Sequence, residues 1–157
     1  MDPRFASLVD RLHPAFVALM ERAPVTGGAI PSYGTATKGI YLFSENDRYL
    51  YVGRSNRLLA RYRNHWMPSK TEREAAFAFK LARESTGFLK ATYQKGAGSR
   101  KALAIEPVFI AAFTAAKTRI KSMHYRWVEE TDPNCQCLLE IYAAVVLQTS
   151  YNDFDTH

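Results

Sequence analysis

Tyr41 and Tyr51 lie in "GIYLFSENDRYLYVG", and Arg61 and His65 follow in "LLARYRNH", so four side chains suited to phosphate and proton chemistry fall within 25 residues. A phenol donates or accepts a hydrogen bond and becomes a base once ionised, normally near pH ~10. A guanidinium forks onto phosphate or carboxylate oxygens, and an imidazole exchanges protons near neutrality. Far downstream, Glu140 sits among the apolar residues of "CLLEIYAAVV". An unpartnered carboxylate is costly to bury, so Glu140 needs a metal ion, an arginine or a hydrogen-bonded surface position.

Local elements must position these groups. "GIYLF" and "YLYVG" read as two strands of a hairpin joined by "SENDR". With Phe43 and Tyr49 closing a five-residue loop, Tyr41 lies opposite Tyr51. Opposed side chains sit about 5 Å apart on one face, so Tyr41, Phe43, Tyr49 and Tyr51 share a face and Ile40, Leu42, Leu50 and Val52 take the other. A helix is expected from Asn56 to Trp66 with Ser55 as its N-cap. At about 100° per residue, and with Arg57 at zero, Arg61 and His65 fall at about 40° and 80°. Leu58, Tyr62, Trp66 and Leu59 cover about 100° to 200°. The expected result is an apolar arc flanked by a cationic ridge of Arg57, Arg61 and His65, with Arg54 in the loop before it.

Charge is concentrated in the same region. The chain has 157 residues and a net charge of +6, but residues 48 to 101 hold thirteen Lys or Arg against three acids. That segment carries +10 and the remainder −4. Concentrated positive charge favours polyanions through counterion release. The plain alternative is a solvated basic face. At 47% apolar and 23% charged residues, with no bilayer-length apolar run, a single globular domain and no membrane partner are expected. Asp10, Arg11 and His13 interrupt the first apolar segment, which argues against a signal peptide. Cys135 and Cys137 read as small buried thiols rather than a zinc site, and the expected compartment is reducing and cytoplasmic.

The rest of the chain reads as α/β (α+β), with a small central antiparallel β-sheet of about three strands flanked by helices. Residues 5 to 21 have helical spacing with a break or kink at Pro14, forming an N-terminal helical arm. "APVTGGAIPSYGT" is a linker by composition, which divides the chain into an arm at 1–37 and a core domain at 38–157. A helix is expected from Thr71 to Arg83, and irregular basic chain from 85 to 101. Residues 108 to 120 fit helix or buried strand. "SMHYRWVEE" alternates as a strand, and 135 to 148 form an apolar helix.

These motifs resemble those of the GIY-YIG nucleases. The two name-giving tripeptides appear here as Gly39-Ile40-Tyr41 and Tyr51-Val52-Gly53, followed by Arg61 and, four residues later, His65. Glu140 and Asn152 stand where that family places its metal-binding glutamate and a late asparagine. Asn152 in "SYND" also reads as a helix end or turn. The resemblance covers residues 38 to 154 in order, while 67 to 122 match no motif. It implies a DNA endonuclease in which Tyr41 and Tyr51 both line the site, Arg61 holds phosphate, His65 assists, and Glu140 binds Mg²⁺ or Mn²⁺. Either phenol would serve as general base, provided that nearby cations lower its pKa. Asp153 and Asp155 are further acids near the metal, and Arg54, Arg57, Lys70, Arg73, Lys95, Arg100 and Lys101 are the expected DNA-backbone contacts. A monomer or a homodimer, with DNA as partner, fits equally. The alternative from another class is a nucleic-acid-binding module that keeps the scaffold without turnover.

Overall fold

A computed structural model of the chain describes residues 1–29, 31, 34–88 and 98–154. The described helices are α1 (Pro3–Glu21), α2 (Leu58–Trp66), α3 (Ala76–Thr86), α4 (Arg100–Leu103), α5 (Pro107–Ser122) and α6 (Pro133–Leu147). The strands are β1 (Gly39–Glu45), β2 (Arg48–Ser55) and β3 (His124–Glu129), which form one antiparallel sheet in the order β2-β1-β3. The fold is therefore mixed α+β. Among the described residues, no helix is long and apolar enough to cross a membrane.

The chain divides into two compact units, Met1–Arg61 with Met123–His157, and Tyr62–Ser122. The boundary expected at residue 37 is not where contacts divide. In the first unit, α1 and α6 cover one face of the sheet, where Leu12 and Leu19 of α1 join Ile40, Leu42, Val52, Val128, Leu139 and Ala143 in one buried cluster. Phe16 meets Tyr142 edge-on at 5.5 Å. Arg11 of α1 reaches Glu130, beyond the end of β3, with contacts of 2.6 and 2.7 Å. The segment after α1 then pairs Val25 with Tyr125. The N-terminal helix is thus a wall of the core rather than a separate arm, and it runs unbroken through Pro14.

Asp-Pro pairs start both covering helices. Asp2 accepts from the amides of Arg4 and Phe5, and Asp132 from those of Asn134 and Cys135, with proline in the first turn of each helix. Proline lacks the N–H that would otherwise need a partner there.

The hairpin differs from the five-residue loop expected. Asn46 and Asp47 adopt positive φ of 50° and 60°, a two-residue turn that pairs Glu45 with Arg48 and Ser44 with Tyr49. Continued without a break, that register would set Tyr41 against Val52 and put Tyr51 on the opposite face. A bulge at Leu50 inserts one residue and restores the phase, so Phe43 faces Tyr51 and Tyr41 faces Gly53. Tyr41 and Tyr51 share a face as expected, but as diagonal neighbours. Tyr49 crosses to the face covered by α1 and α6, where it packs against the apolar cluster.

In the second unit, α3 and α5 pack around Phe79, Ala82, Leu103 and Phe109. Residues 107–122 are helix, with Pro107 at the first position. The α3 helix begins at Ala76 instead of Thr71, and in the turn before it the Glu74 carboxylate accepts from the Thr71 amide at 3.1 Å. Lys117 is almost fully buried, and its ammonium donates to the carbonyls of Pro68 and Lys70 at 2.9 and 2.7 Å. Burial lowers its pKa.

Candidate active site

The other face of the sheet in the first unit is aromatic and largely buried. Tyr41 lies between Tyr51 and Tyr125, with ring centroids 6.3 and 5.9 Å away, and opposite Trp127 in register. The two glycines of the tripeptides each allow a close approach. A Cβ on Gly53 would collide with the Tyr41 hydroxyl and ring, and one on Gly39 with the Val128 carbonyl of the neighbouring strand. Gly53 is the seat of the Tyr41 phenol. Gly53→Ala is expected to destabilise the fold by about 2 kcal/mol through overpacking, measured by chemical denaturation; unchanged stability would show that Tyr41 moves freely.

Arg61, on the first turn of α2, donates from Nε to the Tyr41 hydroxyl at 3.1 Å and is also hydrogen-bonded to Tyr51. Tyr51 in turn bonds Tyr41, so the two phenols and the guanidinium form one network. Tyr41 is 1% exposed, while Tyr51 is only partly buried. Burial pushes both phenol pKa values up and outweighs the opposing influence of Arg61. The expectation of lowered phenol pKa values fails on this point. Removing water from an anion costs more here than one neighbouring cation returns.

Glu140 joins this cluster. It projects from α6, which packs on β2, and its Oε2 accepts from Arg54 Nε at 2.9 Å. Its carboxylate is close enough to Tyr41, Tyr51 and Arg61 to raise the phenol pKa values and to be influenced by the guanidinium. Burial raises the Glu140 pKa, and Arg54 followed by Arg61 oppose the rise. Arg54 was expected to contact a DNA backbone; its guanidinium is instead engaged by this carboxylate.

Asn152 completes the edge of β2. Its Oδ1 accepts from the Val52 amide and its Nδ2 donates to the Val52 carbonyl, both at 2.8 Å. The Tyr151 amide also donates to the Leu50 carbonyl at 2.9 Å. The Asn152 amide thus pins the backbone between Tyr51 and Gly53. This also explains how an edge strand with a bulge stays in register.

His65 and Arg57 do not form the expected ridge. Arg57 precedes α2: its amide donates to Ser55 Oγ at 3.0 Å, and its carbonyl accepts the first helical bond from the Arg61 amide. His65 is fully buried with its ring edge-on to Phe77 at 6.3 Å. At about 20° from Leu58 on the helical wheel, it belongs to the apolar arc.

Of the proposed backbone contacts, Arg73 and Lys101 are exposed, while Lys70 is paired with Glu74 at 2.9 Å. Arg100 lies over the Phe79 ring at 4.5 Å. Lys95 and Asp155 lie outside the described residues, and Asp153 is exposed. Sequence reasoning passed over Lys117 and Arg83, since nothing in their spacing separates them from the surrounding basic residues.

Among the described residues, no cluster of three or more His, Cys, Asp or Glu is placed to hold a metal ion. Mg²⁺ needs less than such a cage, since it is commonly held by one or two carboxylates together with water and substrate phosphate. A half-buried carboxylate whose pKa is raised by burial gains from a nearby cation. Glu140 therefore fits a single-carboxylate site, on condition that the ion displaces or shares Arg54. No protein-family model, curated protein or solved structure matches the chain.

Proposed function

We propose that the chain is a metal-dependent DNA endonuclease that hydrolyses phosphodiester bonds by attack of an activated water. The observation that carries this reading is the meeting of Glu140 with Tyr41, Tyr51, Arg54 and Arg61 within one compact unit, across about ninety residues of sequence. A scaffold role does not call for two linked phenols, a half-buried guanidinium and a half-buried carboxylate at one place.

The residues divide the work by chemistry. Arg61 presents its remaining N–H donors to a phosphate oxygen and stabilises the charge that develops there. Tyr41, sealed from solvent, holds Arg61 in place through its hydroxyl. Tyr51 is the more accessible phenol and is the better placed to take a proton from an attacking water. Glu140 would hold the divalent ion, with Arg54 fixing the carboxylate until the ion arrives. When bound, Mg²⁺ or Mn²⁺ supplies charge neutralisation at the phosphate and the leaving oxygen, and favours ionisation of a neighbouring phenol.

Activity is expected to depend on pH through Glu140. Its pKa lies above the ordinary carboxylate value, so falling pH neutralises it early, and kcat/KM should drop at a pH above the usual glutamate range of about 4.3. Arg54 opposes that rise, so Arg54→Ala should move the acid limb to still higher pH. An acid limb that stays put in this variant would remove Glu140 from the titration.

Incubation with supercoiled plasmid tests the reading directly. Nicked or linear product with Mg²⁺ or Mn²⁺, and none with EDTA, is the expected result. The existing Arg54–Glu140 ion pair favours one competing account, a nucleic-acid-binding module without turnover. Salt-sensitive plasmid binding with no nicking in either metal would establish that account instead.

A further inference from the structure

The second unit carries charge of its own kind. Residues 62 to 122 hold twelve Lys or Arg and four acids, a net +8, while the rest of the chain holds nine and eleven, a net −2. Most of these cations are unremarkable, because exposed lysines are solvated singly and Lys70 has Glu74. Arg83 and Arg100 differ. Arg100 places its Cζ over the Phe79 ring, 4.5 Å from the centroid, and Phe79 sits one helical turn before Arg83 on α3. The two guanidiniums are close enough to repel each other.

Among the described residues, no carboxylate lies within ion-pair distance of Arg83 or Arg100. Each guanidinium has five N–H donors. Arg83 directs Nε to the Phe88 carbonyl at 2.6 Å, and Arg100 directs Nη1 to the Glu72 carbonyl at 3.3 Å. Both acceptors are main-chain oxygens, which orient the forks without cancelling their charge. The Arg83 Nη2 atom is buried and has no hydrogen-bond partner among the described residues. An unmet buried donor costs about 1–3 kcal/mol, and two like charges held on one face add to that cost. An anion beside the two guanidiniums would offset that repulsion.

The geometry points to Arg83 and Arg100 as a phosphate-binding pair that grips the backbone of a nucleic acid on the second unit, apart from the residues that would cut it. Stacking on Phe79 fixes the plane of the Arg100 guanidinium, and the Phe88 carbonyl fixes that of Arg83. Such fixed forks match phosphate oxygens better than flexible ammonium groups do. This inference rests on DNA being the substrate, but it does not depend on cleavage.

The test is binding of a fluorescent DNA duplex of about 20 base pairs in EDTA, followed by anisotropy across a series of NaCl concentrations. For the double variant R83Q/R100Q, the slope of log K against log salt should fall in magnitude by about 2, as two phosphate contacts are lost. Affinity at moderate salt should drop on the order of tenfold or more. R83K/R100K, which retains the charges, should keep most of the slope, and equal circular dichroism spectra establish that both variants fold. A double variant with the wild-type slope and affinity overturns the pair, as does a wild-type protein that does not bind the duplex. Free inorganic phosphate at millimolar concentration should compete weakly; if it alone binds and the duplex does not, the site serves a small anion and the backbone assignment falls. Metal-dependent plasmid nicking with an unchanged salt slope would spare the nuclease reading and refute this site, and the converse pattern would do the reverse.

Discussion

Arg61→Ala is expected to lower the rate of metal-dependent DNA cleavage by about 10²–10³, the loss typical of removing one charge-stabilising donor from an active site. The side chain has two duties in this geometry. Its Nε holds the Tyr41 hydroxyl at 3.1 Å, and the guanidinium, which also bonds Tyr51, would meet phosphate. Alanine also withdraws a donor from a fully buried phenol, so a stability loss of about 1–3 kcal/mol should accompany the kinetic one. Arg61→Lys separates the two effects. A lysine keeps the charge but loses the fork, so most of the cleavage defect should remain while DNA binding is largely preserved. The assay is initial rate of nicking at saturating Mg²⁺, with a melting curve for each variant. Cleavage by Arg61→Ala at the wild-type rate would remove this residue from the mechanism.

Glu140→Ala is expected to have an effect at least as large, reducing cleavage below detection at all Mg²⁺ and Mn²⁺ concentrations. No group of three or more His, Cys, Asp or Glu among the described residues is placed to take over the ion. Its effect on folding should be small or favourable. Burial already disfavours the Glu140 charge, and its partner Arg54 is half-exposed and returns to water when the carboxylate is removed. A Glu140→Ala protein that is stable, binds DNA and does not cut it is therefore the expected combination. Loss of binding together with loss of cutting would instead identify Glu140 as a structural residue.

Much of the site was legible in the sequence because it depends on short-range order. The strand tripeptides and the alternation of β3 are local signals, and the sheet follows from them, although the turn holds two residues, Asn46 and Asp47, and not five. The pairing of Tyr41 differs by two positions, one from the two-residue turn and one from a bulge at Leu50 that leaves no mark in an already apolar strand. That bulge still delivered the shared face, since an extra residue in β2 offsets the odd register of a two-residue turn. His65 was misplaced for a different reason. Helical angle alone sets it beside Arg61, but burial depends on what packs against the helix, and Phe77 lies in a later helix.

Long-range partners were the least legible. The Arg11–Glu130 bond spans 119 positions and the Val52–Asn152 pairing 100, and no pattern in either neighbourhood announces the other. These are the contacts that turn the N-terminal helix into part of the core and the late asparagine into a clamp on β2. The direction of the phenol pKa values was missed likewise, because a count of nearby cations says nothing about how much water the fold excludes. The stretch 67 to 122, which carries none of the motif positions, falls within the second compact unit. Its separate organisation could not be read from charge alone.

The central claim is that Glu140 supplies the metal-dependent step at a site built from Tyr41, Tyr51 and Arg61. Its most direct test sets wild-type protein beside Glu140→Ala on a labelled DNA duplex with Mg²⁺, under conditions where both are fully bound. The account predicts rapid strand scission by the wild type, with mapped ends carrying 5′-phosphate and 3′-hydroxyl, and none by the variant. Equal cutting by the two proteins, or no cutting by the wild type in either Mg²⁺ or Mn²⁺, would contradict it.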